Sequence, residues 1–295
     1  MDMASLTTKQ KTNYAGFPKP AELIEITGGA ALEASDRALH NMLLQIAHDS
    51  GRMTERGEDW EVPFVVLRQA LSTHKSNERV RESLRRLMRV DVIVHYKSVK
   101  TGEPRTLETH LLDFIDTSDG DGEGATVRFG IPQNLRLLLA RSNRWGRVRS
   151  EVTFAMTSKY AIALYELLCL RINMQNCVEV FTVKQFRELL GVPPKSYIKG
   201  ADFWRFVVEP ALLEVNGLSD IGVQIDLRRR HTRAPVHEIA VAWWKKEGDE
   251  FRATMQERNR HKTGRMARLR GQIEKITGEV APQIAAPQGG FAPSR

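Results

Sequence analysis

Apolar residues follow helical spacing in three successive segments after residue 34 and then alternate as they do in strands. The first helix is predicted to begin near Ser35, a residue type that caps helices, and its apolar residues follow the i, i+3, i+4, i+7 pattern of one buried stripe. That stripe consists of Leu39, Met42, Leu43, Ile46 and Ala47. Further helices are predicted over 64–71 and 77–89, followed by strands over 92–96 and 107–115.

The same order of elements recurs roughly 120 to 130 residues later. Helices are predicted over 157–172, 183–190 and 201–215, and strands over 221–227 and 236–243. Three helices followed by a two-stranded ribbon form the winged-helix arrangement, in which the third helix can enter the major groove of DNA. The pattern therefore predicts an α+β fold of two tandem winged-helix domains, arranged as a pseudo-repeat.

The regions around the two repeats differ in composition and predict the domain boundaries. Residues before 35 show no sustained periodicity of apolar positions. Residues 245–275 hold ten Lys and Arg against five Asp and Glu. The last residues are rich in Pro, Gly and Ala, a composition typical of disorder. The predicted organisation is a flexible N-terminal arm (1–34), a first winged-helix domain (35–145), a second winged-helix domain (146–246), a basic and partly helical extension (247–276) and a disordered tail (277–295).

The charge balance favours a polyanionic partner. The chain has 44 Lys and Arg against 36 Asp and Glu, a formal net charge of +8. No stretch approaches the ~18 consecutive apolar residues of a membrane span, and the first residues lack the basic and apolar parts of a secretory signal. We expect a cytoplasmic protein without a membrane partner.

Residue patterns for enzyme chemistry are absent from the sequence. There is no Gly-Lys dipeptide for a phosphate-binding loop and no His-x-His pair for a nickase metal site, and two cysteines are too few for a four-thiolate zinc site. The acidic loop over 116–124 lacks the final Glu of a calcium loop and is interpreted as a hairpin loop. We predict no catalytic residue, no metal and no cofactor, so the protein is not expected to be an enzyme.

Candidate DNA contacts in the first repeat lie on its third helix and in the linker that follows the repeat. Arginines fall opposite the apolar arc of that helix, and no acid lies between Gln133 and Ser150. The alternatives to phosphate contact are a solvated charged face and a surface that binds another charged partner. The candidates are Arg81, Arg85, Arg86, Arg89, Arg147 and Arg149.

In the second repeat, Arg205 on the third helix is the candidate for base reading, because a guanidinium can donate two parallel hydrogen bonds to guanine. Phosphate contacts are predicted for the segment before that helix, which consists of Lys195, Ser196, Tyr197 and Lys199. Trp204 is a further DNA candidate, with partial burial against the ribbon as the favoured alternative. Pro210 predicts a kink or a break in the helix.

The turn over 228–233, at the tip of the second ribbon, is the most concentrated positive patch in either repeat. Four arginines within six residues repel one another unless an anion is close. We predict contact with the phosphate backbone, and a solvated hairpin tip is the alternative. The residues are Arg228, Arg229, Arg230, His231 and Arg233.

Several motifs together resemble the replication initiator (Rep) proteins of iteron-containing bacterial plasmids. They are MTSKYAIALYELL over 156–168, FRELLG over 186–191, Tyr197, FWRFVVEPALLEVN over 203–216 and LSDI over 218–221. The resemblance covers about residues 35 to 245 in layout and is motif-specific only from about 147 to 244.

The resemblance implies a DNA-binding protein that is not an enzyme and is associated with the plasmid or nucleoid. A monomer would bind iteron direct repeats at the origin and promote its opening, and a dimer would bind an operator inverted repeat and repress its own gene. The first domain would support dimerisation and phosphate contact, and the second would give most of the sequence readout. Besides double-stranded DNA and a second copy of the chain, the implied partners are the host initiator protein and the replicative helicase.

Three other functions remain open at this point. A winged-helix transcriptional repressor of a plasmid or phage would bind DNA without opening an origin. An adaptor protein would use the same surfaces to bind acidic proteins. A nuclease or nickase would require a site that the sequence does not reveal.

Overall fold

The computed structural model describes residues 6–71, 77–98, 101–118, 122, 124–231 and 234–271. These residues form two winged-helix domains joined by a packed interface, and buried apolar side chains of both domains belong to one continuous cluster. The predicted tail over 277–295 and Arg233 lie outside the described residues.

The first domain has three main helices, a hairpin and a separate small sheet. Its helices are α1 (Ala21–Ile24), α2 (Ala34–Asp49), α3 (Phe64–Leu71), α4 (Asn77–Arg89) and α5 (Gln133–Arg141). Its strands are β1 (Phe17–Pro20), β2 (Trp60–Pro63), β3 (Val92–Lys97), β4 (Pro104–Thr109), β5 (Phe114–Thr117) and β6 (Thr126–Gly130). Strands β3 and β4 pair as the antiparallel wing, and β2, β6 and β5 form a three-stranded sheet in that order.

The second domain repeats the helices of the first but builds its wing differently. Its helices are α6 (Ser150–Ala155), α7 (Lys159–Arg171), α8 (Val183–Leu189), α9 (Gly200–Phe203) and α10 (Glu209–Leu218). Its strands are β7 (Trp145–Val148), β8 (Val178–Thr182), β9 (Ile221–Arg229) and β10 (Val236–Lys245). Strand β8 joins the wing to give the order β8-β10-β9, whereas the corresponding β2 of the first domain pairs with β6 instead.

The predicted strand over 107–115 is wrong as one element. The chain leaves strand β4 after Thr109 and starts strand β5 at Phe114, which pairs with β6 rather than with β3. Leu111 and Leu112, between the two strands, are buried in the core. The apolar run over 107–115 therefore covers the end of β4, a buried connection and the start of β5 in a different sheet. Hydrophobic periodicity alone does not distinguish this arrangement from one continuous strand.

The prediction of a flexible arm over 1–34 is wrong for its described part. Strand β1 pairs antiparallel with β7, with Phe17 opposite Val148, and the side chains of Phe17 and Leu23 are both 1% exposed. The segment has no sustained period because it turns repeatedly through short elements, so its apolar residues are buried without forming a stripe.

A buried polar cluster joins the N-terminal segment to both domains. The Lys19 ammonium lies 2.9 Å from a Glu166 carboxylate oxygen, and both side chains are almost fully buried. Lys19 also donates to the Asn41 amide oxygen at 2.8 Å, and the Asn41 amide nitrogen donates to Glu166 at 2.6 Å. Strand β1, helix α2 and helix α7 are thereby held together at the domain junction.

The described part of the basic extension is helical and packs on the second domain. It comprises α11 (Gly248–Asn259) and α12 (Arg265–Leu269). Buried Arg265 donates to the Ala155 carbonyl at 2.9 Å, and Lys262 donates to the Phe154 carbonyl at 2.6 Å. Some of the positive charge of the extension is therefore used to attach it to the domain.

Candidate nucleic-acid interface

The third helix of the second domain runs without a gap from Gly200 to Leu218 but changes its hydrogen-bond register in the middle. A π-helical turn over Trp204–Val208 joins α9 to α10, and Pro210 lies in the first turn of α10. A proline has no N–H for the i−4 carbonyl, so the preceding turn widens instead of breaking. The predicted break at Pro210 does not occur, and a kink there stays a prediction. We name the combined segment 200–218 the reading helix.

The loop before the reading helix is held in place by one arginine. The Arg187 guanidinium donates to the backbone carbonyls of Tyr197 at 3.0 Å and Ser196 at 2.5 Å. The same guanidinium lies 5.1 Å from the ring centroid of Phe203 on the reading helix. Arg187 thus fixes the loop and the reading helix to α8. It was not among the candidate residues, because nothing in the sequence distinguishes it from a solvated residue of α8.

Replacing Arg187 by alanine should loosen this loop. The carbonyls of Ser196 and Tyr197 would lose a charged donor, and each such hydrogen bond contributes about 1.5–3 kcal/mol. Hydrogen exchange of the backbone amides over 195–199 should become faster, while the amides of buried α7 keep their rates. Lys184→Ala, on an 86% exposed side chain of the same helix, is the matched control. Unchanged exchange in the loop would contradict the assigned role.

The predicted contacts of the loop and of the reading helix differ in exposure. Lys195, Lys199 and Arg205 are exposed, and Ser196 and Tyr197 are half-buried. Arg205 forms no ion pair with an acid in the described part of the chain, and its guanidinium lies 5.3 Å from the ring centroid of Phe206. It is available for an external anion or base.

Trp204 is half-buried and packs against the core. Its partial burial agrees with the alternative that the sequence favoured, and packing against the ribbon stays a prediction.

The wing tip presents a second group of exposed cations in this domain. Arg228, Arg229, Arg230 and His231 are exposed where β9 ends, and the nearest acid to Arg228 is Asp226 at 3.9 Å. Such a long, solvent-exposed contact contributes little and leaves the guanidinium accessible.

A groove of about 600 Å³ lies between the loop and the wing. Tyr197 and Ile198 of the loop, Ala201 of the reading helix and Arg229 of the wing are among its lining residues. Arg205 does not line the groove and follows Ala201 by about one helical turn. The groove therefore brings together one predicted loop contact, Tyr197, and one predicted wing contact, Arg229, with Arg205 further along the helix.

In the first domain, α4 does not present a free face of four arginines. Arg86 donates to both carboxylate oxygens of Asp36 at 2.9 Å, and the Asp36 side chain is fully buried. The hydrogen bond to Asp36 raises the pKa of Arg86. The prediction of a free guanidinium is therefore wrong at Arg86, because this side chain neutralises a buried acid and attaches α4 to α2.

Two of the other predicted arginines of α4, Arg85 and Arg89, are more exposed than Arg86. Arg85 lies 2.8 Å from Glu78 in an exposed ion pair, and Arg89 is exposed. Arg81 lies over the Phe64 ring at 4.8 Å. Arg85 and Arg89 therefore remain the accessible cations among the predicted contacts of this helix.

Arg147 and Arg149 attach the N-terminal segment instead of forming an open basic linker. Arg147 donates to the carbonyls of Lys11 and Gly16 at 2.9 and 3.1 Å, and Arg149 donates twice to the Tyr14 carbonyl at 2.9 and 2.8 Å. The prediction of free linker arginines is wrong, because the partners are backbone carbonyls more than 130 residues away in sequence.

The described residues contain no group of three or more His, Cys, Asp or Glu side chains placed to hold a metal ion. None of their helices has the length and apolar character needed to cross a bilayer.

Two family models match the chain. The model described as "Initiator Replication protein, WH1" matches residues 19–169, and the model described as "Initiator Rep protein, WH2" matches residues 182–242. Together they cover well over half of the 295 residues. This chain belongs to the initiator replication (Rep) protein family. The resemblance noted in the sequence and the two tandem winged-helix domains are confirmed.

Two solved structures are similar to this Rep protein to different degrees. A crystal structure of the Pi initiator protein in complex with iteron DNA matches with a TM-score of 0.57 at 15% identity, covering 78% of this chain and 97% of that chain. Domains 2 and 3 of RctB match with a TM-score of 0.45 at 12% identity, covering 72% of this chain and 82% of that chain. No curated protein sequence matches this chain.

The candidate contacts of this Rep protein divide between the two matched regions. The loop, Arg205 and the described wing residues lie within the WH2 match, and the α4 arginines lie within the WH1 match. The WH1 match extends to residue 169, beyond the predicted domain boundary at 145. The boundary itself stays a prediction.

Proposed function

We propose that this Rep protein initiates plasmid replication by binding iteron direct repeats at the origin. A monomer binds the repeats, promotes opening of the duplex and recruits the host initiator protein and the replicative helicase. A dimer binds an operator inverted repeat and represses the protein's own gene. The protein acts in the cytoplasm on plasmid or nucleoid DNA and performs no catalysis.

The observation that carries this proposal is the surface formed by the loop, the reading helix and the wing. Lys195, Lys199, Arg205 and the wing arginines are exposed, and one groove joins the loop to the wing. A third helix flanked by a cationic wing fits a major groove and the phosphates beside it. The Pi initiator protein, which shares this fold, was crystallised with iteron DNA, and this likeness supports the choice of ligand.

The direct test is footprinting of the purified protein on the DNA that flanks its own gene. Two winged-helix domains in one chain should engage major-groove faces about one turn, ~34–36 Å, or a multiple apart. We expect regularly spaced direct repeats, each protected over roughly two turns of duplex. Protection that is no stronger than on random DNA would overturn the proposal.

Three further measurements address the finer parts of the proposal. Sedimentation with direct-repeat and inverted-repeat duplexes should show one chain on the first and two on the second. A minimal plasmid that carries the gene and the repeats should replicate, which a repressor without initiation activity would not support. Supercoiled DNA with the protein and a divalent metal ion should stay uncut.

Arg205→Ala and Arg229→Ala should affect binding in different ways. Loss of a base contact by Arg205 should cost about 1–3 kcal/mol and relax the preference at one base pair. Loss of a phosphate contact by Arg229 should weaken binding to all sequences alike. Binding to the repeat and to duplexes with single permuted base pairs would be measured for both variants. Equal losses on every duplex for both variants would refute the assignment of Arg205.

A further inference from the structure

Two large apolar side chains stand exposed beside the cations of the proposed DNA surface. Ile198 in the loop is 80% exposed, and Phe206 on the reading helix is 48% exposed. Lys199 follows Ile198 directly, and Arg205 lies 5.3 Å from the Phe206 ring centroid. Apolar side chains exposed to this extent are unfavourable in water, and their burial against a partner is favourable.

The backbone holds Ile198 outward. Tyr197 has a φ of +50°, the only non-glycine residue with a positive φ in the described chain. That left-handed conformation is unfavourable for a residue with a Cβ and persists only where its surroundings fix it. Here Arg187 binds the Tyr197 carbonyl at 3.0 Å, so the loop cannot easily turn Ile198 toward the core.

The aromatic side chains fix the position of Phe206. The Tyr197 ring stacks on the Phe206 ring at a centroid distance of 5.7 Å and contacts Tyr160 edge-on at 6.5 Å. Tyr160 is buried in the core. Phe206 is thus supported on one side by a chain of rings and open on the other.

The position of Ile198 just before the reading helix indicates which groove of DNA its side chain would enter. In helix-turn-helix proteins the N-terminal part of the recognition helix reads base edges in the major groove. Ile198 precedes the first residue of the reading helix, Gly200, by two positions. The apolar feature that the major groove offers is the 5-methyl group of thymine.

We propose that Ile198, which follows the Tyr197 that stacks on Phe206, selects thymine in the binding site through contact with its 5-methyl group. This inference rests on the proposed binding of repeated DNA sites and adds a determinant of their sequence. The cations beside the two side chains bind phosphates and hold the loop in the groove. The apolar contact then discriminates between thymine and the other bases.

The test replaces each thymine of a footprinted repeat, one at a time, by deoxyuridine, which removes only the methyl group. The full-length protein should bind at least one of these duplexes about fourfold more weakly, the factor expected from one buried methyl group. The Ile198→Ala variant should bind the unmodified duplex about as weakly. It should lose no further affinity when that thymine is replaced, because the two changes remove the same contact.

Control variants separate this contact from general effects. Val178→Ala removes another exposed apolar side chain, 54% exposed on β8, and should leave every dissociation constant unchanged. Lys199→Gln should weaken binding to all duplexes by one common factor. Phe206→Ala should abolish the deoxyuridine effect at the same thymine or at its neighbour.

Failure of the inference and failure of the proposed function give different results. Normal binding to the repeat with no deoxyuridine effect at any position would overturn the role of Ile198 alone. A deoxyuridine effect that persists unchanged in Ile198→Ala would also overturn it. No preference for the repeat over random DNA would overturn the proposed function and this inference together.

Discussion

Replacing Glu166 by alanine should lower the free energy of unfolding by about 3–5 kcal/mol, because it leaves a buried ammonium without its partner. Lys19 and Asn41 both contact the Glu166 carboxylate, and all three side chains are buried at the domain junction. Burial lowers the pKa of Lys19, and the Glu166 carboxylate opposes this shift. Without the carboxylate, β1 and α2 lose the buried polar contact that they share with α7.

Urea unfolding followed by circular dichroism would measure this effect. Glu151→Ala, on a 58% exposed side chain 4.0 Å from Arg149, is the matched control and should cost less than about 1 kcal/mol. The double variant Lys19→Met with Glu166→Leu should recover much of the loss, because apolar residues of similar size often replace a buried ion pair at little cost. A Glu166→Ala variant as stable as the control would show that the cluster does not hold the domains together.

Neutralising the wing should have the largest effect on DNA binding. Replacing Arg228, Arg229 and Arg230 by glutamine would remove up to three phosphate contacts. Each contact contributes about 0.9 to the slope of log K against log salt concentration, so the slope should become shallower by about 2.7. Affinity at about 0.1 M salt should fall by roughly 100- to 500-fold on repeat and random duplexes alike.

A second triple variant with the same change in net charge provides the control. Arg52, Arg128 and Arg252 have side chains 45%, 51% and 70% exposed, and each pairs with an acid outside the proposed surface. Their replacement by glutamine should leave the salt slope nearly unchanged. Equal slopes in the two triple variants would mean that net charge, and not the wing, determines affinity.

The helices and the second wing were predictable from sequence because their signals are local. The stripe of α2 and the proline in the reading helix each act within a few residues of where they occur. The wing arginines were recognisable for the same reason, since a run of like charge at a turn is exposed wherever the hairpin packs.

The roles of individual arginines were not predictable in this way. Arg85 and Arg86 are neighbours on one helix, yet Arg85 pairs with an exposed acid and Arg86 with buried Asp36. Arg147 and Arg149 look like linker cations until the N-terminal segment folds back and offers its carbonyls. Which arginines stay accessible depends on partners that are distant in sequence.

The sequence by itself determined the two winged-helix repeats, the basic character of the second wing and the family to which the chain belongs. Hydrophobic periodicity and local charge carry that information within single elements. Only the tertiary structure decided that the N-terminal segment is buried, that Arg187 fixes the loop and that Ile198 stands exposed beside the reading helix. These features depend on long-range packing and on carbonyl partners that no local pattern specifies.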